Sequence, residues 1–153
     1  MTSSIFDQYK KLNKIPLGNL IFNFAIGIKA PFFGKIKPDV VALGSGICRV
    51  KMKDRWGVRN HIGTVNAGAM CTLAEITGGL ALDATIPSDL RWIPKGMTVS
   101  YLVKGVGLLE AECSFDKNII ETGDVILPVV IRNMDDTVVF KADITFYISS
   151  KQK

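Results

Sequence analysis

Between Asn66 and Asp83 the chain reads AGAMCTLAEITGGLAL, and no other stretch restricts the fold so tightly. Asn66 suits a helix N-cap, and Ala67 to about Asp83 is expected to form a helix that is apolar on nearly every side. Ala67, Gly68, Ala69, Cys71, Ala74, Gly78, Gly79 and Ala81 make it thin, so that another element can approach its backbone closely. The glycines weaken the helix by up to about 1 kcal/mol each, which close packing must offset. No other segment offers a partner helix of the same character, and the simplest cover is a sheet that wraps around it.

The rest of the chain supplies that sheet. Cys48, Val50 and Met52 alternate with Arg49, Lys51 and Lys53, the period of a strand with one wet face. After Leu90 to Pro94 the alternation returns in four segments, with inner sets Met97, Val99, Tyr101, Val103, then Leu109, Ala111, Cys113, Phe115, then Val125, Leu127, Val129, Ile131, and lastly Phe140, Ala142, Ile144, Phe146, Ile148. Gly105 and Gly107, Gly123, and Asn133 to Asp136 mark the turns, so an antiparallel meander is expected. Pro128 cannot donate to a ladder and is assigned to an edge or a bulge. Gly44-Ser45-Gly46 is read as a bulge and Gly105-Val106-Gly107 as a turn, since neither completes a nucleotide-binding loop. Trp92 and Pro94 are read as packing residues of the connection.

Two helices are expected ahead of the sheet. Ser4 followed by Asp7 reads as the start of the first, with Ile5, Phe6, Tyr9 and Leu12 as its stripe. Pro16 suits the first position of the second, whose buried stripe would be Leu17, Leu20, Ile21, Phe24 and Ile28. Phe22, Phe32 and Phe33 are left over, to cover the domain, line an acyl pocket or touch a membrane. A chain of 153 residues without repeats or low-complexity linkers is expected to be one domain, with a helical extension over 1–37 and a core over 38–150.

The net charge of +5 raises the question of nucleic acid, but Lys10, Lys11, Lys14 and Arg49, Lys51, Lys53 are not interleaved with stacking aromatics, so no nucleic-acid partner is expected. Positive charge also suits an anionic ligand such as coenzyme A. Cys48, Cys71 and Cys113 are an odd number without metal-ligand spacing, which points to a reducing cytoplasm and to no metal. The uncharged run from Ile15 to Ile28 is short for a membrane span, and Lys29 and Pro31 stand where a secretory cleavage site would need small residues.

Against this background Glu75 stands out as the only acidic residue between Asp54 and Asp83. A carboxylate taken from water must be paired, hydrated in a cleft or protonated. It is either a site residue or the partner of Arg59 or Lys95. At the helix start, the N–H groups of Ala67, Gly68 and Ala69 lack intrahelical acceptors and could hold an oxyanion.

Asn60, Gly63, Thr64, Asn66, Ala67, Gly68, Leu73 and Glu75 together resemble the central segment of hotdog-fold acyl-CoA thioesterases of the phenylacetate-pathway type. In that family an Asn stands six residues before a His-Gly-Gly helix start, and an Asp or Glu follows nine residues after the His; Asn60, Asn66 and Glu75 keep this spacing. Asn66 replaces the His and Ala67 the first Gly. The stretch RWIPKGMTVSY, Arg91 to Tyr101, is similar to the family's entry into the strand after the helix.

The resemblance implies an α+β hotdog, an antiparallel sheet around one long helix, covering about Pro38 to Ile148. It also implies hydrolysis of an acyl-CoA, with Glu75 as general base or nucleophile, the Ala67 N–H with Gly68 beside it as oxyanion hole, and Asn60 orienting water or thioester. Thr64, His61 and Asn66 would line the substrate, and Lys95, Arg91 or Arg59 would meet the coenzyme A phosphates. No cofactor beyond the substrate's own coenzyme A is implied. A homodimer or dimer of dimers is, with each site combining the helix start of one subunit and the carboxylate of the other. The alternatives are an acyl-CoA or fatty-acid binding protein without chemistry, a dehydratase or hydratase using His61 as base, Cys71 as a nucleophile, and a weak membrane-surface contact through the N-terminal phenylalanines and lysines.

Overall fold

The computed structural model describes residues 5–151. Ser4, where the first helix is expected to begin, lies outside them. The elements are α1 (Ile5–Leu12), α2 (Gly18–Lys29), α3 (Pro31–Gly34), β1 (Asp39–Gly44), β2 (Ile47–Lys53), α4 (Ala67–Asp83), β3 (Leu90–Tyr101), β4 (Leu108–Ser114), β5 (Gly123–Arg132) and β6 (Val138–Ser150), with single 3-10 turns at Trp56–Val58 and Lys117–Ile119. Six strands form one antiparallel sheet in the order β1-β2-β4-β5-β6-β3.

The thin helix is where the sequence places it. Asn66 caps α4, and the sheet curls around it, with the chains of β2, β4, β5 and β6 against its sides. The glycines do the expected work: a methyl group on Gly78 would sit 3.2 Å from Ile144 Cδ1, and one on Gly79 would sit 2.9 Å from the Trp92 ring. Trp92 is held there by its indole N–H, which donates to Asp83 Oδ1 at 2.7 Å, and by edge-on contact with Phe146. The inner sets of β5 and β6 are buried throughout, as are Leu109, Ala111 and Cys113 of β4.

Four expectations about the sheet need correction. The meander holds only for β4, β5 and β6; β3 pairs with β6 and forms an edge, so Met97 and Val99 are only half-buried while Tyr101 and Val103 are exposed. β3 also starts earlier than its alternation suggests, because an edge strand tolerates Pro94 and the bulge between Pro94 and Gly96. An additional strand, β1, precedes β2, and Ser45-Gly46 is the hairpin turn between them; the bulge lies at Val40/Ala42. Pro128 is not on an edge strand but in β5, immediately beyond Val129, where pairing with β4 ends.

The largest correction concerns α2. Pro16 lies in the preceding turn; the helix begins at Gly18 after Leu17 in a left-handed conformation, φ 61°. Its buried side is Gly18, Phe22 and Ile26, whereas the expected core stripe faces outward. Polar residues decide this orientation. Asn23 donates to Asp39 Oδ1 at 2.8 Å and accepts from the Val40 N–H at 3.0 Å, and Asn19 donates to the same Asp39 oxygen at 3.1 Å. These bonds fasten α2 to β1 along the Asn19–Asn23 side, and Phe22 turns onto Tyr9 in an edge-to-face contact at 5.0 Å.

Candidate active site

Two linked devices hold the start of α4. Asn60 organises the loop in front of it: its Oδ1 accepts from the Ile62 and Thr64 N–H groups, both at 3.1 Å, and its Nδ2 donates to Thr64 Oγ1 at 2.9 Å. Gly63, at φ 79°, closes this loop in a conformation that favours glycine. Below it, Asp54 accepts from Arg59 Nε at 2.6 Å and from the Gly107 N–H at 3.1 Å, which ties the loop to the β3–β4 connection. These contacts, the Arg59 hydrogen bond foremost, hold the Asp54 carboxyl below the usual aspartate range, and the same bond raises Arg59.

At the helix start itself, Asn66 Oδ1 accepts from the Gly68 N–H at 2.7 Å, an ordinary N-cap. That donor is therefore occupied by the chain's own side chain. The Ala67 N–H has no acceptor among the described residues, and Ala67 and Gly68 are both exposed.

Glu75 is half-buried and makes no hydrogen bond or ion pair among the described residues. The pairing weighed for it does not occur, because Arg59 is on Asp54 and Lys95 on Asp124, each at 2.6 Å. Gly68, Cys71 and Glu75 lie within about 60° of one another around α4, at 100° per residue, and belong to the one side that the sheet leaves uncovered. Beside this stripe runs β3, whose Tyr101 hydroxyl lies 3.3 Å from Cys71 Sγ. That contact raises the Tyr101 phenol above its ordinary range, with burial adding to it.

Tyr101 is the residue here that alternation misreads. Alternation places it among the inward-facing residues of β3, yet it is 51% exposed and forms a wall of the uncovered stripe. A signal was available in its polar tip, which favours the border of a core over its interior.

Not every candidate converges. Asn60, Thr64, Asn66, Ala67 and Gly68 are brought together at the helix start, and His61 is exposed on the same loop. Arg91 and Lys95 lie on the outer sheet face, where Arg91 Nε reaches Ser149 Oγ at 3.3 Å and Lys95 binds Asp124. They flank Trp92, which is bonded to Asp83 at the opposite end of α4 from Ala67.

Eight residues separate Ala67 from Glu75, which at a rise of about 1.5 Å per residue is about 12 Å along the axis. A thioester carbonyl cannot touch both ends of that span within one chain. A groove of about 360 Å³ on the outer sheet face and one of about 600 Å³ beside α1 are lined by neither Glu75 nor the α4 start.

The fold has close parallels among solved structures. The protein "genomics APC5556" is 38% identical over 96% of this chain and 99% of its own, with a TM-score of 0.86. A Pseudomonas aeruginosa protein of unknown function, PA5026, described with the words "Probable Thioesterase", is 23% identical over 90% of this chain and 97% of its own, at 0.77. Thioesterase HI1161 from Haemophilus influenzae is 15% identical over 91% and 94%, at 0.76. No protein in the curated set matches the chain. The fold is the hotdog expected from the resemblance, and, since residues 18–148 match its family description, the chain belongs to the family described as Domain of unknown function (DUF4442).

Proposed function

We propose that the protein hydrolyses an acyl-CoA thioester at a site shared between two subunits, working in the cytoplasm. The observation that carries this reading is the half-buried Glu75 on the uncovered stripe of α4, about 12 Å from the Ala67 N–H of the same helix, both without a partner among the described residues. If two copies pack stripe to stripe with their α4 helices antiparallel, the carboxylate of one approaches the helix start of the other. The edge of β3, unpaired among the described residues, favours such packing, because an edge with Tyr101, Leu102 and Val103 exposed at its end invites a second strand. The thioesterase descriptions of PA5026 and HI1161 support the reaction class.

In this reading Glu75 accepts a proton from water as the water oxygen bonds to the thioester carbon. The carbonyl oxygen becomes an oxyanion held by the partner's Ala67 N–H, reinforced by the positive end of α4. Collapse breaks the C–S bond, and the proton passes from Glu75 to the departing coenzyme A thiolate, leaving the free acid. Asn60 keeps one Nδ2 proton unused after bonding Thr64 and would orient the water or thioester. Thr64, Asn66 and His61 would border the substrate. No metal or redox cofactor is part of the mechanism. Arg91 and Lys95, on the outer face, are poor choices for the coenzyme A phosphates; Arg59, exposed beside the loop, is better placed.

One observation favours a binding protein without turnover: the Gly68 N–H is taken by Asn66, so a second oxyanion donor requires the Asn66 side chain to rotate. Thiol release from a panel of short, long and aromatic acyl-CoAs decides between the two. The hydrolytic reading predicts release that falls by about 10²-fold or more in a folded Glu75→Gln variant. Binding of acyl-CoA without release from any member of the panel would establish the binding protein instead.

A further inference from the structure

α2 has two apolar faces, and the structure spends only one. Phe22 and Ile26 are buried, while Leu17, Leu20, Ile21, Phe24 and Ile28 are 47–74% exposed, and Phe32 on α3 is 71% exposed. At 100° per residue Leu20, Ile21, Phe24 and Ile28 fall within about 100° of arc, a single stripe, with Leu17 exposed just ahead of the helix. The helix cannot roll to hide it without breaking the bonds from Asn19 and Asn23 to Asp39 and Val40. The stripe contains no side chain that donates or accepts a hydrogen bond.

The net charge of the chain belongs to the same helical extension. Residues 1–37 hold six lysines and one aspartate, whereas residues 38–153 hold thirteen basic and thirteen acidic residues, so the whole net charge of +5 belongs to the helical extension. Lys14 stands in the turn before α2, Lys29 at its end, and Lys35 and Lys37 beyond α3. With Lys11 these are exposed and form no ion pair among the described residues; only Lys10 is paired, with Asp7.

We propose that the outward face of α2, continued by Phe32 and carried by the part of the chain that holds its net positive charge, docks on an anionic lipid bilayer. A helix lying in the interface with an apolar stripe inward and lysines toward the headgroups satisfies both features at once. A second copy of the chain does not: a two-fold contact through this face would bring together two extensions that each carry a net charge of +5. This surface is separate from the α4 stripe, and its role does not depend on the chemistry there.

Flotation with vesicles tests the proposal. The protein should float with phosphatidylcholine vesicles containing phosphatidylglycerol, much less with phosphatidylcholine alone, and less as salt is raised. Leu20→Ser with Phe24→Ser should weaken binding by about a hundredfold, and Lys11→Glu with Lys14→Glu by about tenfold or more. Both pairs are exposed, and a thermal melt matching the parent protein shows that each variant is folded. Failure of the parent protein to float with anionic vesicles overturns the proposal, as does equal flotation by parent and variants. A lower oligomeric mass for Leu20→Ser with Phe24→Ser in sedimentation velocity would instead identify the face as a contact between protein chains.

Discussion

α4 and α2 are both apolar nearly all round, yet one is enclosed and the other is half uncovered. Around α4 the small residues let strands close on the backbone, and what remains outside is a narrow stripe of Gly68, Cys71 and Glu75. Around α2 no sheet closes; two asparagines and an aspartate pin one side, and a broad stripe of large aliphatic and aromatic groups is left in water. Apolar composition shows that a helix has something to bury. The size of its side chains determines how closely neighbours can come, and the polar anchors determine which side is spent. In both helices the uncovered stripe is where we assign a role.

The contrast can be broken most forcefully by thickening α4. Gly79→Val should push Trp92 off the helix and destabilise the fold by about 2–3 kcal/mol, read as a lower midpoint in urea. An unchanged midpoint would mean that the sheet is not closely packed there. A smaller effect is expected from the loop that holds the α4 start. Asp54 is depressed in the folded state, so its contribution is present above the unfolded aspartate range and is lost as pH falls through the lower folded value. Asp54→Asn should therefore cost about 1 kcal/mol at neutral pH, with the gap to the parent protein closing below about pH 4. A gap independent of pH would assign the effect to packing. The smallest effect is expected on α2, where Phe24→Ser should change stability by less than about 0.5 kcal/mol despite removing a phenyl ring, because that ring is already in water. A large loss would show that the face is covered in solution.

Much of this was legible beforehand. Small residues, an N-cap and a lone carboxylate marked α4, and clean alternation marked β4, β5 and β6, because each of those signals depends on local spacing. The outward turn of α2 was not, since counting apolar positions favours Leu20 and Phe24, and the deciding bonds run from Asn19 and Asn23 to Asp39, far along the chain. The edge position of β3 was hidden for the same reason: its alternation says which side chains share a face but nothing about which strand lies beside it. β1 escaped because DVVALG is a short apolar run without alternation. At the candidate site, the residues of the α4 start and the cap by Asn66 were legible from spacing, whereas which N–H that cap takes and the separation of Arg91 and Lys95 depend on how distant elements pack.

The central claim is that Glu75 and the Ala67 N–H serve one reaction from two chains. Ala67→Pro removes that N–H at a helix position where proline is tolerated, and Asn66, at φ −63° and ψ 140°, already has the conformation a residue before proline needs. Glu75→Gln and Ala67→Pro homodimers should each lose thiol release. Unfolded together and refolded as a mixture, they should recover roughly a quarter of the parent rate, because half the dimers are mixed and each mixed dimer holds one intact site. A mixture as inactive as its two components would place both groups in the same chain's site and contradict the account.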